Sequence, residues 1–313
     1  MHGTVFPKDD FDCEAACRTL KEAMDGLGTN ESDIITVLTS HSNAQRQEIK
    51  EQYKQLFGED LIDDLKSELG GDFEDVCLAL LDPPRVYDAH ELHRAISGAG
   101  TSENPLIEIM VTRTNEELEE IKEIYRTEYE VELEDDLKSD TSGYFRRMLV
   151  SLCTASRDEG WWADPELAAS DAQRIYDAGE GQAGTDECEI NSVLCQRTLP
   201  QLQATLVAYQ ELTGNDLRES IESETSGSVQ EGYLAILDAA IDLRKYFAKC
   251  IYNSMAGFGT SDSDLIRLIV SRSEVDLEVV KHIFQEMYEK SLAEWVSDEC
   301  SGDYKRILLA VID

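Results

Sequence analysis

One short glycine-bearing stretch occurs four times, and an acid follows each copy at a fixed distance. The copies are Met24-Asp25-Gly26-Leu27-Gly28-Thr29, Ile96-Ser97-Gly98-Ala99-Gly100-Thr101 and Met255-Ala256-Gly257-Phe258-Gly259-Thr260, with a longer third copy, Gly179-Glu180-Gly181-Gln182-Ala183-Gly184-Thr185. The acid lies 40 residues beyond each Gly-Thr glycine, at Glu68, Asp140, Glu224 and Glu299. Two or three residues later comes another glycine, read here as Gly70, Gly143, Gly227 and Gly302. A chain with this period is expected to fold as four similar units, each carrying one copy of the same binding site.

The residue types point to a hard cation. Calcium takes six to eight oxygens, drawn from carbonyls and carboxylates. Gly-x-Gly permits positive φ, so successive carbonyls can turn toward one point. Three carbonyls and one bidentate carboxylate make about five ligands, which leaves positions for water or a lipid phosphate. Each acid also reads as the last residue of a helix stopped by glycine. A carboxylate there meets the negative end of the helix dipole, a placement that a cation would relieve.

The charge bears on partners. With 65 acids against 28 bases, the net charge is −37. Phosphate binding needs clustered Lys and Arg, so nucleic acid is not an expected partner. An anionic membrane would repel such a chain unless cations intervened. Residues 1–12 hold no apolar run, so no secretory leader is expected there. No stretch offers the roughly 20 apolar residues of a membrane span. The eight cysteines are scattered, and they are expected to be buried, reduced thiols.

Helical periodicity runs throughout, with no alternating strand pattern. The expected class is all-α, with about five short helices per repeat. In the first repeat these are Phe11 to Met24, a helix capped by Thr29 or Ser32, one starting at Asn43 and closed by Gly58, then Asp60 to Leu69 and Asp72 to Leu81. The expected divisions are a head at 1–12, repeats at 13–83 and 84–156, a linker at 157–167, and repeats at 168–242 and 243–313. The Gly-Thr glycines are spaced by 72, 84 and 75 residues, so the middle joint is longer. The excess surrounds Trp161-Trp162, where a linker between two halves is expected, with the indoles covering a seam.

Other signals carry less. Gly179-Glu180-Gly181-Gln182-Ala183-Gly184 spells a dinucleotide fingerprint, but it follows a helical stretch where that motif needs a strand. His90 and His93 have metal-ligand spacing without a third ligand. Arg113, Arg197 and Arg272 read either as the lining of a polar, ion-conducting centre or as structural ion pairs, the second being favoured. No nucleophile–base constellation marks an enzyme. A calcium-insensitive helical scaffold is the rival from another functional class.

Taken together, the four loop–acid units and stretches such as MDGLGTNE (24–31), LTSHSNAQRQEI (38–49), DLIDDLKSEL (60–69), DTSGYFRRML (140–149) and LIRLIVSRSEVDL (265–277) resemble the annexin core over about residues 12–313. The resemblance implies four repeats packed into a curved disc. It also implies reversible, Ca2+-dependent binding to acidic phospholipid membranes from the cytoplasm, with signal-less export and lateral self-association left open. It assigns calcium ligands by position: Met24, Gly26, Gly28 and Glu68; Ile96, Gly98, Gly100 and Asp140; Gly179, Gln182, Gly184 and Glu224; Met255, Gly257, Gly259 and Glu299. Secondary metal positions fall on Thr29 with Glu31 and Thr101 with Glu103, and membrane contacts on Leu27, Ala99 and Phe258. Where relatives often carry a basic residue in the loop, this chain has Asp25, Ser97, Gln182 and Ala256, which argues against calcium-free headgroup recognition.

Overall fold

The computed structural model describes residues 2–26, 28–98, 100–182, 184–257 and 259–313. Among them every regular element is helical, in sets of five. The first set is α1 (Cys13–Met24), α2 (Glu31–Thr39), α3 (Asn43–Phe57), α4 (Leu61–Glu68) and α5 (Gly71–Leu81). The second is α6 (Pro84–Ile96), α7 (Glu103–Thr112), α8 (Asn115–Tyr129), α9 (Leu133–Asp140) and α10 (Gly143–Cys153). The third holds α11 (Pro165–Ala178), α12 (Glu187–Leu194), α13 (Leu199–Thr213), α14 (Leu217–Glu224) and the first part of α15 (Gly227–Met255). The rest of α15 joins α16 (Asp262–Arg272), α17 (Leu277–Tyr288), α18 (Leu292–Glu299) and α19 (Gly302–Ile312). Asp242 is extended (φ −160°, ψ 106°) and breaks α15 into two helices where one set gives way to the next.

Local chemistry fixes the helix ends. Asp12 caps α1, its side chain accepting from the Ala15 N–H. The cap of α2 is Asn30, accepting from Asp33, not the expected Thr29 or Ser32. Ser42 with Gln45, Thr114 with Glu117 and Ser291 with Glu294 form reciprocal capping boxes at α3, α8 and α18. Gly58 closes α3 at φ 73°, as expected.

The chain forms two compact units. One is Met1–Tyr87 with Phe247–Asp313; the other is Asp88–Tyr246. The first and fourth sets therefore pack together, as do the second and third, and the chain crosses between units within α6 and α15. The first unit buries Leu20, Ile34, Leu38, Ile49 and Tyr53 with Phe247, Ile269, Phe284 and Ile307. The second buries Leu106, Ile109, Ile121, Tyr125 and Met148 with Val193, Leu194, Tyr209 and Tyr233. Each such side chain contributes about 1.5–3 kcal/mol relative to exposure. One joint recurs in both units. Arg147 of α10 donates to Cys188 Sγ of α12, and Arg306 of α19, at the equivalent position, donates to Ser32 Oγ of α2.

Three expectations change. The segment around Trp161-Trp162 lies inside the second unit and does not divide the chain into halves. Its indoles cover no seam, since Trp161 is 88% and Trp162 63% exposed. The cysteines form no disulfide, but Cys188 is exposed, while Cys17, Cys77, Cys153, Cys195 and Cys300 are buried. The polar head is tied down within the first unit. Thr4 donates to the carbonyls of Ser273 and Val311, and the Glu278 N–H donates to the His2 carbonyl.

Candidate functional site

Each loop joins the first helix of a set to the second, and one backbone hydrogen bond closes it. The residue after the threonine donates back to the residue before the loop: Asn30 to Ala23 (2.8 Å), Ser102 to Ala95 (2.9 Å), Asp186 to Ala178 (2.7 Å) and Ser261 to Ser254 (2.7 Å). The third closure spans one residue more than the others. This register aligns Gly179 with Met24, Gln182 with Gly26 and Gly184 with Gly28. The Gly-Thr glycine has positive φ in all four copies: 92° at Gly28, 100° at Gly100, 90° at Gly184 and 88° at Gly259. A side chain would be strained there.

The acid closes the fourth helix in every set: Glu68 ends α4, Asp140 ends α9, Glu224 ends α14 and Glu299 ends α18. The stop is an extended residue (Leu69, Thr141, Thr225, Cys300), not a glycine. A glycine at φ 60–66° then opens the next helix three residues after the acid, at Gly71, Gly143, Gly227 and Gly302. The equivalent glycine in the first set is therefore Gly71, with the expected Gly70 one position short. The pair Gly70-Gly71 hid that register in the sequence.

Loop and acid meet through the threonine. Thr101 Oγ1 donates to Asp140 Oδ2 at 2.6 Å and reaches the Asp140 carbonyl at 3.2 Å. Thr185 does the same with Glu224, at 3.0 and 3.1 Å. Thr29 is only within 3.5 Å of Glu68 Oε2. Among the described residues Thr260 makes no hydrogen bond to Glu299. Sequence reasoning placed Thr29 and Thr101 at secondary metal positions and missed this contact to the principal acid. The signal was present in the threonine's constant place after the glycine. Glu31 and Glu103 open α2 and α7, and Glu103 accepts from Ser228 Oγ at 3.3 Å. Thr101, Glu103, Asp140, Ser142, Ser226 and Ser228 line an open cleft of about 300 Å³ beside the second loop.

What these acids lack is a base. Among the described residues, Glu68, Asp140, Glu224 and Glu299 form no salt bridge. Some acids elsewhere are neutralised internally, although 65 acids against 28 bases leave many others unpaired. Arg113 is buried against Asp88 (2.7 Å) and Glu108 (3.4 Å). Burial alone would lower its pKa, but the two carboxylates more than offset that and hold it above its ordinary range. Arg197 binds Asp171 at 2.7 Å, and Arg272 binds Asp276 at 2.6 Å. All three arginines are thus paired. His90 meets Glu128 at 2.7 Å, and His93 stacks on Tyr129.

The donor set suits a hard cation. Among the described residues no backbone N–H donates to the carbonyls of Met24, Gly26, Gly28, Ile96, Gly98, Gly100, Met255, Gly257 or Gly259. The third loop differs: the Gly179 carbonyl accepts from the Gln182 N–H at 3.1 Å. Among the described residues no three His, Cys, Asp or Glu side chains converge as a metal cluster. A shell built mainly of carbonyls does not require one. Leu27, Ala99 and Phe258, the expected membrane contacts, lie outside the described residues.

A family profile described as Annexin matches four stretches: 15–80, 87–152, 170–236 and 246–311. Annexin A7 of Homo sapiens is 47% identical over 310 residues, 99% of this chain. The chain spans only 64% of that relative's length. Annexin A13 of Homo sapiens is 46% identical over 311 residues, covering 99% of this chain and 98% of the relative. A solved structure of annexin III, 39% identical, superposes with a TM-score of 0.97, covering 100% of this chain and 97% of the other.

Proposed function

The chain belongs to the annexin family, and we propose that it attaches reversibly to acidic phospholipid membranes when calcium is present. The family is known for this property. The observation that carries the reading is the set of four helix-terminal carboxylates with no salt bridge among the described residues, each 40 residues beyond a positive-φ loop glycine, with the ligand carbonyls of the first, second and fourth loops free of backbone donors among those residues. Calcium would be held by Met24, Gly26, Gly28 and Glu68, by Ile96, Gly98, Gly100 and Asp140, by Gly179, Gln182, Gly184 and Glu224, and by Met255, Gly257, Gly259 and Glu299. Thr29 with Glu31 and Thr101 with Glu103 would serve secondary sites. Bound there, calcium supplies positive charge and open coordination positions for lipid phosphate oxygens.

The chain's own residues do the rest. Positive-φ glycines hold the carbonyls in place without a side chain in the way. The carboxylates anchor the cation, whose charge in turn would relieve their unfavourable helix-end placement. The remaining negative charge keeps the chain off an anionic bilayer when calcium falls. No described helix is long and apolar enough to cross a membrane. Leu27, Ala99 and Phe258 would touch the interface. The role is binding, not catalysis, with the protein intracellular and moving to membranes as calcium rises. Lateral self-association on the membrane belongs to the same proposal.

Cosedimentation with phosphatidylserine-containing vesicles across a calcium series tests it. The expected result is binding that rises with calcium, reverses on chelation and is absent on phosphatidylcholine alone. Binding that ignores chelator, or no binding at any calcium level, overturns the reading.

A further inference from the structure

The two indoles at Trp161 and Trp162 are the largest exposed apolar groups in the second unit, at 88% and 63% exposure. Adjacent exposed tryptophans mark a contact surface more often than an accident of composition. Both flanks of their short loop are fixed. On one side the Asp158 N–H donates to the Gln196 carbonyl at 2.6 Å, and Asn115 Nδ2 donates to the Arg157 carbonyl at 2.8 Å and to Glu159 Oε1 at 2.9 Å. On the other, the Asp164 N–H and carbonyl bond the Gln201 side-chain amide at 2.7 and 3.0 Å. Residues 160–163 therefore form a tip on a fixed base, and Trp162 lies over Gly160 (φ 140°). A tip ordered beforehand loses little freedom on binding.

The surroundings are anionic. Asp158, Glu159 and Glu166 flank the indoles in the chain and are exposed, Asp158 being shared with Arg197 at 3.4 Å, and Glu116 is exposed next to the Asn115 that holds Glu159. The one base in the segment, Arg157, points inward and donates to the carbonyls of Arg197 (2.8 Å) and Leu194 (3.3 Å). Indole faces attract cations, and nearby carboxylates strengthen that preference. Position sets the tip apart from the loops. The tip is pinned to Asn115 and Gln196, just past the ends of α7 and α12, whereas the calcium loops precede the starts of those helices. The tip and the loops thus lie toward opposite ends of α7 and α12, helices about 12–15 Å long.

We propose that Trp161 and Trp162, with Glu159, Glu116 and Glu166, dock a lysine- or arginine-rich amphipathic segment of a partner protein. The cationic side chains stack on the indoles and meet the carboxylates, while apolar residues cover the rest of the rings. Docking is independent of calcium, because no loop carboxylate takes part.

The test uses the full chain, calcium-free, at physiological salt, with a labelled Lys/Leu amphipathic peptide as probe. Anisotropy gives the affinity for wild type, Trp161→Ala/Trp162→Ala and Trp161→Phe/Trp162→Phe. Both side chains are exposed, so an unchanged far-UV circular dichroism spectrum is expected. The Ala pair should weaken binding about tenfold or more, and the Phe pair by less, since Phe is the poorer cation partner. Equal affinity of the Ala pair and wild type would reduce the effect to general charge attraction and overturn the proposal. So would no wild-type binding up to about 0.1 mM peptide. A blue shift of the indole emission on calcium-bridged vesicles, lost in the Ala pair, would make the tip a lipid contact and equally refute a protein partner.

Discussion

The loops of the two units are built from similar letters but hold their acids differently. In the first unit both loop glycines have positive φ, Gly26 and Gly28 in one loop and Gly257 and Gly259 in the other. Glu68 and Glu299 there are exposed. Their threonines barely touch them: Thr29 stands 3.5 Å from Glu68, and Thr260 makes no bond to Glu299 among the described residues. In the second unit Gly100 and Gly184 are the only described loop glycines with positive φ, and Asp140 and Glu224 are half-buried. Their threonines bind them at 2.6 and 3.0 Å. A carboxylate already accepting a hydrogen bond must share or surrender it to take a cation. The first unit therefore offers open sites, and the second offers sites with a latch.

Neutralising the acids unit by unit gives the largest effect. Glu68→Gln/Glu299→Gln should raise the calcium needed for vesicle binding by about tenfold or more, with each tenfold equal to about 1.4 kcal/mol. Asp140→Asn/Glu224→Gln should raise it less, and cosedimentation at graded calcium reads both. Thr101→Val/Thr185→Val should act in the opposite direction. With the latch removed, calcium affinity in the second unit should rise a few-fold, a part of the roughly 1.5–3 kcal/mol of a hydrogen bond to a charged group, because the bond can be shared with the cation. Calorimetric titration checks that, and a fall in affinity would show the threonine to be a support. Saturating calcium should raise the melting temperature by about 3–5 °C through mass action, and a variant lacking all four carboxylates should show no rise. Gly257→Ala should cost about 1 kcal/mol of stability by strain at φ 116°. Gly98→Ala should cost less, since Gly98 is not in the left-handed region. Denaturant midpoints compare the two.

Much of this was legible in the sequence because it is periodic. A glycine, a threonine and an acid at one offset fix a loop and a helix end, and the helices between them follow from apolar spacing and caps. Near-degenerate local choices were harder to read. Asn30 outcompeted Thr29 and Ser32 as the cap of α2 because its side chain reaches Asp33. Gly71 rather than Gly70 took the positive φ, which no single letter announces. The grouping of sets was also hidden, because it depends on long-range packing. A longer joint around Trp161 looked like a boundary, yet it is held inside the second unit by Asn115, Gln196 and Gln201. The threonine latch depends on angstrom-scale placement, which spacing cannot resolve.

The most direct test of the account is the calcium dependence of cosedimentation with phosphatidylserine vesicles, run on wild type and on Glu68→Gln/Asp140→Asn/Glu224→Gln/Glu299→Gln. The account predicts reversible, calcium-driven binding in the wild type and none in the variant under the same conditions. A variant that still sediments at the wild-type calcium concentration would show that these four carboxylates do not hold the bridging cation.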